Sequence, residues 1–160
     1  MPPETSRAQR TGQRARVAVA GASGFIGSAL CPRLAEQYEV IALTRSPARA
    51  RLPERAGLVT WQHCDLFDNQ AVHTGLAGVD YAVYLVHSLA PSSRLTQASP
   101  RDMDLVLADN FARAAAANDV QQIIFVSGVM PQGFRFSPLL WSRREVETGA
   151  RFTRHPGYRI

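Results

Sequence analysis

The chain has 160 residues, 46% hydrophobic and 19% charged, with a formal net charge of +5. That size allows one ordinary core and predicts a single domain, and no apolar run approaches the roughly 18–20 residues needed to cross a bilayer. Two cysteines, Cys31 and Cys64, have neither metal-ligand spacing nor the density of a disulfide scaffold, which fits a reducing cytoplasm.

Residues 1–15 carry Arg7, Arg10 and Arg14 but no apolar signal-peptide core, and read as a disordered basic tail before a domain over residues 16–160. Val17–Ala20 then forms a short apolar run that empties into Gly21, Gly24 and Gly27. A strand, a glycine turn and a helix in that order begin a dinucleotide-binding fold. Gly21 takes backbone angles that a side chain would forbid, Gly24 admits a pyrophosphate to the main chain, and Gly27 lets the helix pack close to the strand. The helix N-terminus offers free N–H groups and its positive dipole end to phosphates.

The spacing predicts a helix over residues 25–37, with Ile26, Leu30 and Leu34 as its buried stripe and Pro32 as a misfit inside it. Strands follow over 39–43 and 58–63, then a brief helix over 71–76 ended by Gly78. Residues 81–86 are almost continuously apolar, as in a central parallel strand covered on both faces. A long amphipathic helix over 102–118 aligns Met103, Leu107, Phe111 and Ala115, and the next strand spans 123–126. This alternation predicts an α/β fold, a Rossmann-type doubly wound parallel sheet, with ligands beyond the carboxyl ends of its strands.

The arginines are scattered without interleaved aromatics, which disfavours nucleic acid, while a positive field also suits an anionic dinucleotide. His63, Cys64 and Asp65 are adjacent in a strand, so their side chains alternate faces and do not converge on a metal.

With the glycines, Leu43-Thr44-Arg45, Cys64-Asp65-Leu66, Tyr84 to Ser88 and Ile123 to Gly128 in order, the chain resembles the atypical and extended short-chain dehydrogenase/reductases, particularly their NmrA-like, epimerase-like branch. The resemblance runs from about Arg16 to Glu147 and implies a Rossmann domain that binds NAD(P). Gly21, Ser23, Gly24, Phe25, Ile26 and Gly27 match the family's pyrophosphate loop. Arg45 stands where an acidic residue would favour NAD, so NADP(H) is preferred over NAD(H); the alternative is a solvated surface arginine. Asp65 and Leu66 match the turn beside adenine, with a plain turn or cap role for Asp65 as the alternative. His87 falls where the family's chain passes the nicotinamide ribose, and is otherwise a structural strand-end histidine.

Reductases of this family use a serine with a Tyr-x-x-x-Lys pair. Ser127 matches the serine region and is the candidate catalytic residue, with an ordinary strand-end role as its alternative. The downstream helix puts Leu139 at the tyrosine position and Arg143 at the lysine position, as the NmrA-like branch commonly departs from the pair. Tyr81, Tyr84 and Tyr158 do not substitute by spacing. Two functions therefore stand: a reductase or epimerase acting on a carbonyl or sugar-nucleotide in intact form, or a non-catalytic regulator or assembly protein that senses the cofactor through a partner. The sequence ends where a sixth strand should begin, so the expectation is a sheet truncated after about five strands, lacking the substrate-binding part. A homo-oligomer covering the open edge is the alternative to a fragment.

Overall fold

A computed structural model of the chain describes residues 13–50, 59–87, 100–126 and 146. Five strands, β1 (Arg16–Ala20), β2 (Glu39–Thr44), β3 (Val59–His63), β4 (Tyr81–Tyr84) and β5 (Gln122–Phe125), form one parallel sheet in the order β3-β2-β1-β4-β5. The helices are α1 (Phe25–Leu34), α2 (Pro47–Ala50), α3 (Asn69–Gly75) and α4 (Pro100–Ala117). The chain builds outward from β1 through β2 to β3, then returns to the other side of β1 for β4 and β5. The order therefore reverses at β1 and β4, whose carboxyl ends make the switch point of a doubly wound sheet.

Both faces of the inner strands β2, β1 and β4 are covered, which explains why these are apolar rather than alternating, whereas β3 alternates at the sheet edge and Ile124 of β5 is exposed. On one face Ala18, Ala20, Ile41, Leu43, Ala82, Tyr84, Ile123 and Phe125 form a core with Val72 and Leu76, and with Leu107, Phe111 and Ala115 of α4. The Tyr84 ring lies 5.2 Å from Phe111 and 6.1 Å from Phe125, centroid to centroid. On the other face Val17, Val19, Val40, Ala42 and Val83 pack with Ala22, Cys31 and Ala35. The α4 stripe expected from the sequence is the one that packs, with Phe111 and Ala115 fully buried.

α1 differs from expectation. Its buried residues are Gly27 and Cys31, continued by Ala35, whereas Ile26 is 48% exposed and Leu30 and Leu34 sit half-buried at the edge of the contact. The helix lies so close to the glycine turn that only small residues fit beneath it. The α-helix passes through Pro32 but ends at Leu34 rather than 37, tightening into turns in which Glu36 N–H donates to Arg33 and Gln37 N–H to Leu34.

α3 begins at Asn69, earlier than its apolar residues suggest, because the Asp68 side chain accepts from the N–H groups of Gln70 and Ala71 at 2.9 and 3.1 Å. Gly78 turns the chain back with φ +67°. β4 ends at Tyr84, although Leu85 N–H still donates to Ala20. Arg14 and Ala15, read as tail, are bonded into the fold: the Arg14 guanidinium donates to the Ala35 carbonyl and Ala15 accepts from Glu39 N–H. Arg16 clamps the amino end of the sheet through its N–H to Asp80 and its guanidinium to Glu39.

Candidate functional site

The carboxyl ends of four strands converge on a cleft of about 200 Å³. β1 supplies Ala20 and, just past it, Gly21 and Ser23; β2 supplies Leu43, Thr44 and then Arg45. Cys64, Asp65, Leu66 and Phe67 follow β3, Val86 and His87 follow β4, and α4 adds Met103 and Leu107. Six residues singled out from the sequence, Gly21, Ser23, Arg45, Asp65, Leu66 and His87, thus share one cleft at the switch point.

The loop from β1 into α1 is fixed by backbone geometry. Gly21 has φ +82°, and a side chain there would also meet the Leu85 main chain at 3.1 Å. Gly24 N–H donates to the Gly21 carbonyl at 3.0 Å, closing the turn. At Gly27 a Cβ would stand 2.4 Å from the Gly21 oxygen and 2.6 Å from the Ala22 Cα, so the helix meets the turn in backbone contact. The first intrahelical bond runs from Ser28 N–H to the Gly24 carbonyl, and the N–H groups of Phe25, Ile26 and Gly27 precede it. No acidic side chain sits in that first turn, so the dipole end is uncompensated. The side chains of Phe25 and Ile26 point away from the core, Phe25 being 95% exposed; what these positions can offer a ligand is main chain.

At the β2 end, Arg45 is exposed and no described carboxylate pairs with it. The neighbouring Thr44 is buried and its hydroxyl accepts from Ser46 N–H at 3.1 Å. α2 starts here, with Ser46 Oγ accepting from Arg49 N–H, and the Arg49 guanidinium lies 6.0 Å over the Trp61 ring. Arg49 is thereby turned toward β3, and Arg45 is the arginine that lines the cleft among the described residues.

At the β3 end, Asp65 makes the turn foreseen as one of its alternatives: its Oδ1 accepts from Phe67 N–H at 3.1 Å and its carbonyl from Asp68 N–H at 3.0 Å. Burial pushes the Cys64 thiol up to about 11, helped by the carboxylates of Asp65 and Asp68, so near neutral pH it is an uncharged wall and not a nucleophile. Tyr84 likewise stays an uncharged phenol near neutrality, because burial, with Asp104 nearby, raises it far above the usual phenol range. His87 is half-buried at the rim. Ser127, Leu139, Arg143 and Tyr158 lie outside the described residues.

Thr44, Cys64 and Val86 stood in the strand-end motifs without a role of their own, and the sequence did not single out Phe67, Met103 or Leu107 as lining residues. Met103 and Leu107 carried a signal, the helical stripe of α4, but that stripe marks a core as readily as the wall of a cleft. Among the described residues no group of three or more His, Cys, Asp or Glu is placed to hold a metal, and no helix is long and apolar enough to cross a membrane.

The chain is 34% identical over 113 residues to auxiliary protein GraX of Staphylococcus aureus, covering 71% of this chain and 36% of that protein. Among solved structures it is similar to uronate dehydrogenase from Agrobacterium tumefaciens, with 27% identity, a TM-score of 0.64, and coverage of 86% of this chain and 55% of that one. UDP-glucose 4-epimerase from Thermotoga maritima shares the fold, with a TM-score of 0.67 at 18% identity over 89% of this chain and 53% of its own. The chain thus spans about a third of the curated relative and about half of these solved proteins. A family model described as NAD(P)H-binding matches residues 21–145, from the glycine turn that follows β1 to past β5, and the chain belongs to that NAD(P)H-binding Rossmann family.

Proposed function

We propose that this domain binds NADP(H) in preference to NAD(H), with the 2′-phosphate against Arg45. The observation that carries this reading is the arginine at the end of β2, lining the switch-point cleft in the place where an acidic side chain would select the free ribose hydroxyl. The pyrophosphate takes the N–H groups at the start of α1, held by Gly21, Ser23 and Gly24, with Phe25, Ile26 and Gly27 contributing main chain. Asp65 and Leu66 meet the adenine, and His87 borders the nicotinamide ribose. A cleft of about 200 Å³ is smaller than the roughly 300–1,000 Å³ of a pocket that encloses a whole ligand, so an extended cofactor lies only partly within it.

All 18 basic residues other than histidine are arginine, and the 160 residues contain no lysine. An arginine stays protonated and does not replace the lysine of a Tyr-x-x-x-Lys pair. This favours the second reading, a cofactor-sensing regulator or assembly protein of the NmrA-like kind, over a reductase or epimerase with Ser127 as its catalytic serine. The name of the Staphylococcus relative, an auxiliary protein, points the same way. Cys31 and Cys64 are both free and pack on opposite faces of the sheet, which suits a reducing cytoplasm.

The test is thermal unfolding with NADPH and with NADH, because a ligand that binds the folded state raises the midpoint. NADPH should raise it more. A larger shift with NADH overturns the Arg45 assignment, and turnover of any carbonyl substrate overturns the non-catalytic reading.

A further inference from the structure

α4 and the turn that ends it carry two asparagines that reach the same neighbouring segment. Asn110 Nδ2 donates to the Leu66 carbonyl at 3.0 Å, and Asn118 Nδ2 donates to the His73 carbonyl at 3.1 Å and to Ala114 at 2.8 Å. Both tie the last helix to the stretch between β3 and the end of α3 by the same chemistry, a side-chain amide on a backbone carbonyl. Their far ends differ. Leu66 lines the cleft, whereas His73 is exposed on α3 and is not among the lining residues.

The Leu66 carbonyl and the Phe67 N–H belong to one planar peptide unit. Asn110 grips that plane at its oxygen, and Asp65 Oδ1 grips it at its N–H, 3.1 Å away. With the plane held from both sides it cannot rotate, and the Asp65 carboxylate is fixed with one oxygen committed to the turn and Oδ2 left as an acceptor. We propose that Asn110 is a positioning residue for the adenine end of the cofactor cleft, which holds the peptide plane that orients Asp65 toward the exocyclic amine. This rests on the assignment of Asp65 and Leu66 to adenine. Without Asn110 the plane turns toward water, Asp65 loses its N–H partner, and the carboxylate swings in its rotamers. The backbone fold is still set by the sheet.

Asn118 is the built-in control. Titrations with NADPH and with its hypoxanthine counterpart, in which the exocyclic amine is replaced by a carbonyl, separate positioning from stability. Asn110→Ala and Asn118→Ala should both lower the thermal midpoint. Only Asn110→Ala should weaken NADPH, by roughly tenfold, and level the preference for adenine over hypoxanthine. Asn110→Asp, of the same shape but without the amide donor, should repeat the effect and serves if the alanine variant does not fold. Asn110 variants that keep the wild-type adenine preference overturn the proposal, as does an equal loss in Asn118→Ala. If Asp65→Ala abolishes that preference and Asn110→Ala does not, the peptide latch alone is wrong. If Asp65→Ala changes nothing, or the unsubstituted chain does not distinguish the two cofactors, the adenine assignment falls and the positioning role with it.

Discussion

The two ends of the cleft are built on different principles. At the glycine loop, Gly21, Ala22 and Gly27 are in backbone contact, and the groups offered to a ligand are N–H donors whose direction the fold itself determines. At the ends of β2 and β3, the offered groups are side chains: Arg45 stands in solvent and Asp65 is oriented by a turn. Damage at the first end should therefore appear as lost stability, and damage at the second as lost affinity or selectivity in a protein that still folds.

Gly27→Ala should have the largest effect. Its Cβ would lie 2.4 Å from a backbone oxygen, so α1 must lift off the turn, at a cost of about 3 kcal/mol that chemical denaturation would read directly. An unchanged denaturation midpoint would show that the loop is softer than its contacts indicate. Arg45→Ala probes the other end and should leave unfolding in the absence of ligand unchanged. It should weaken NADPH by about 2 kcal/mol, or roughly thirtyfold, with NADH little altered. An equal loss for both cofactors would mean that Arg45 supplies general charge and not recognition of the phosphate.

How far each end was legible in the sequence follows the same division. The glycines, the apolar strands and the stripe of α4 are constraints on the backbone and the core, and each leaves a periodic or spaced trace. The face of α1 misled because Ile26, Leu30 and Leu34 have helical spacing, yet the close approach at Gly27 admits only Cys31 and Ala35 beneath the helix. α2 was missed although Ser46 and Pro47 form a proper helix start, since four residues are too few to show a period. Arg45 was visible from its place at a strand end. Asn110 was not, because a single polar residue on an amphipathic helix says nothing of the carbonyl 44 positions earlier in the chain that it reaches in space.

Two smaller substitutions refine the division. Asp68→Ala removes the N-cap of α3, just beyond the cleft, and should lower stability by about 1 kcal/mol without changing the NADPH to NADH ratio. A changed ratio would extend the side-chain end of the cleft into α3. Glu39→Ala breaks the 3.0 Å pair with Arg16 at the amino end of the sheet, where both partners are partly solvated, and should cost no more than about 0.5 kcal/mol. A loss exceeding that of Gly27→Ala would show that the clamp at the amino end, and not the glycine loop, dominates the stability of the β1 region.

Calorimetric titration of the unsubstituted chain with NADPH and NADH side by side tests most directly whether the arginine end of this cleft reads the 2′-phosphate. The expected result is binding of both, with NADPH tighter by about tenfold or more, the contribution of one charge-assisted contact. Equal affinities, or tighter NADH, would contradict it and leave Arg45 as a surface residue beside a cofactor site that does not distinguish the two.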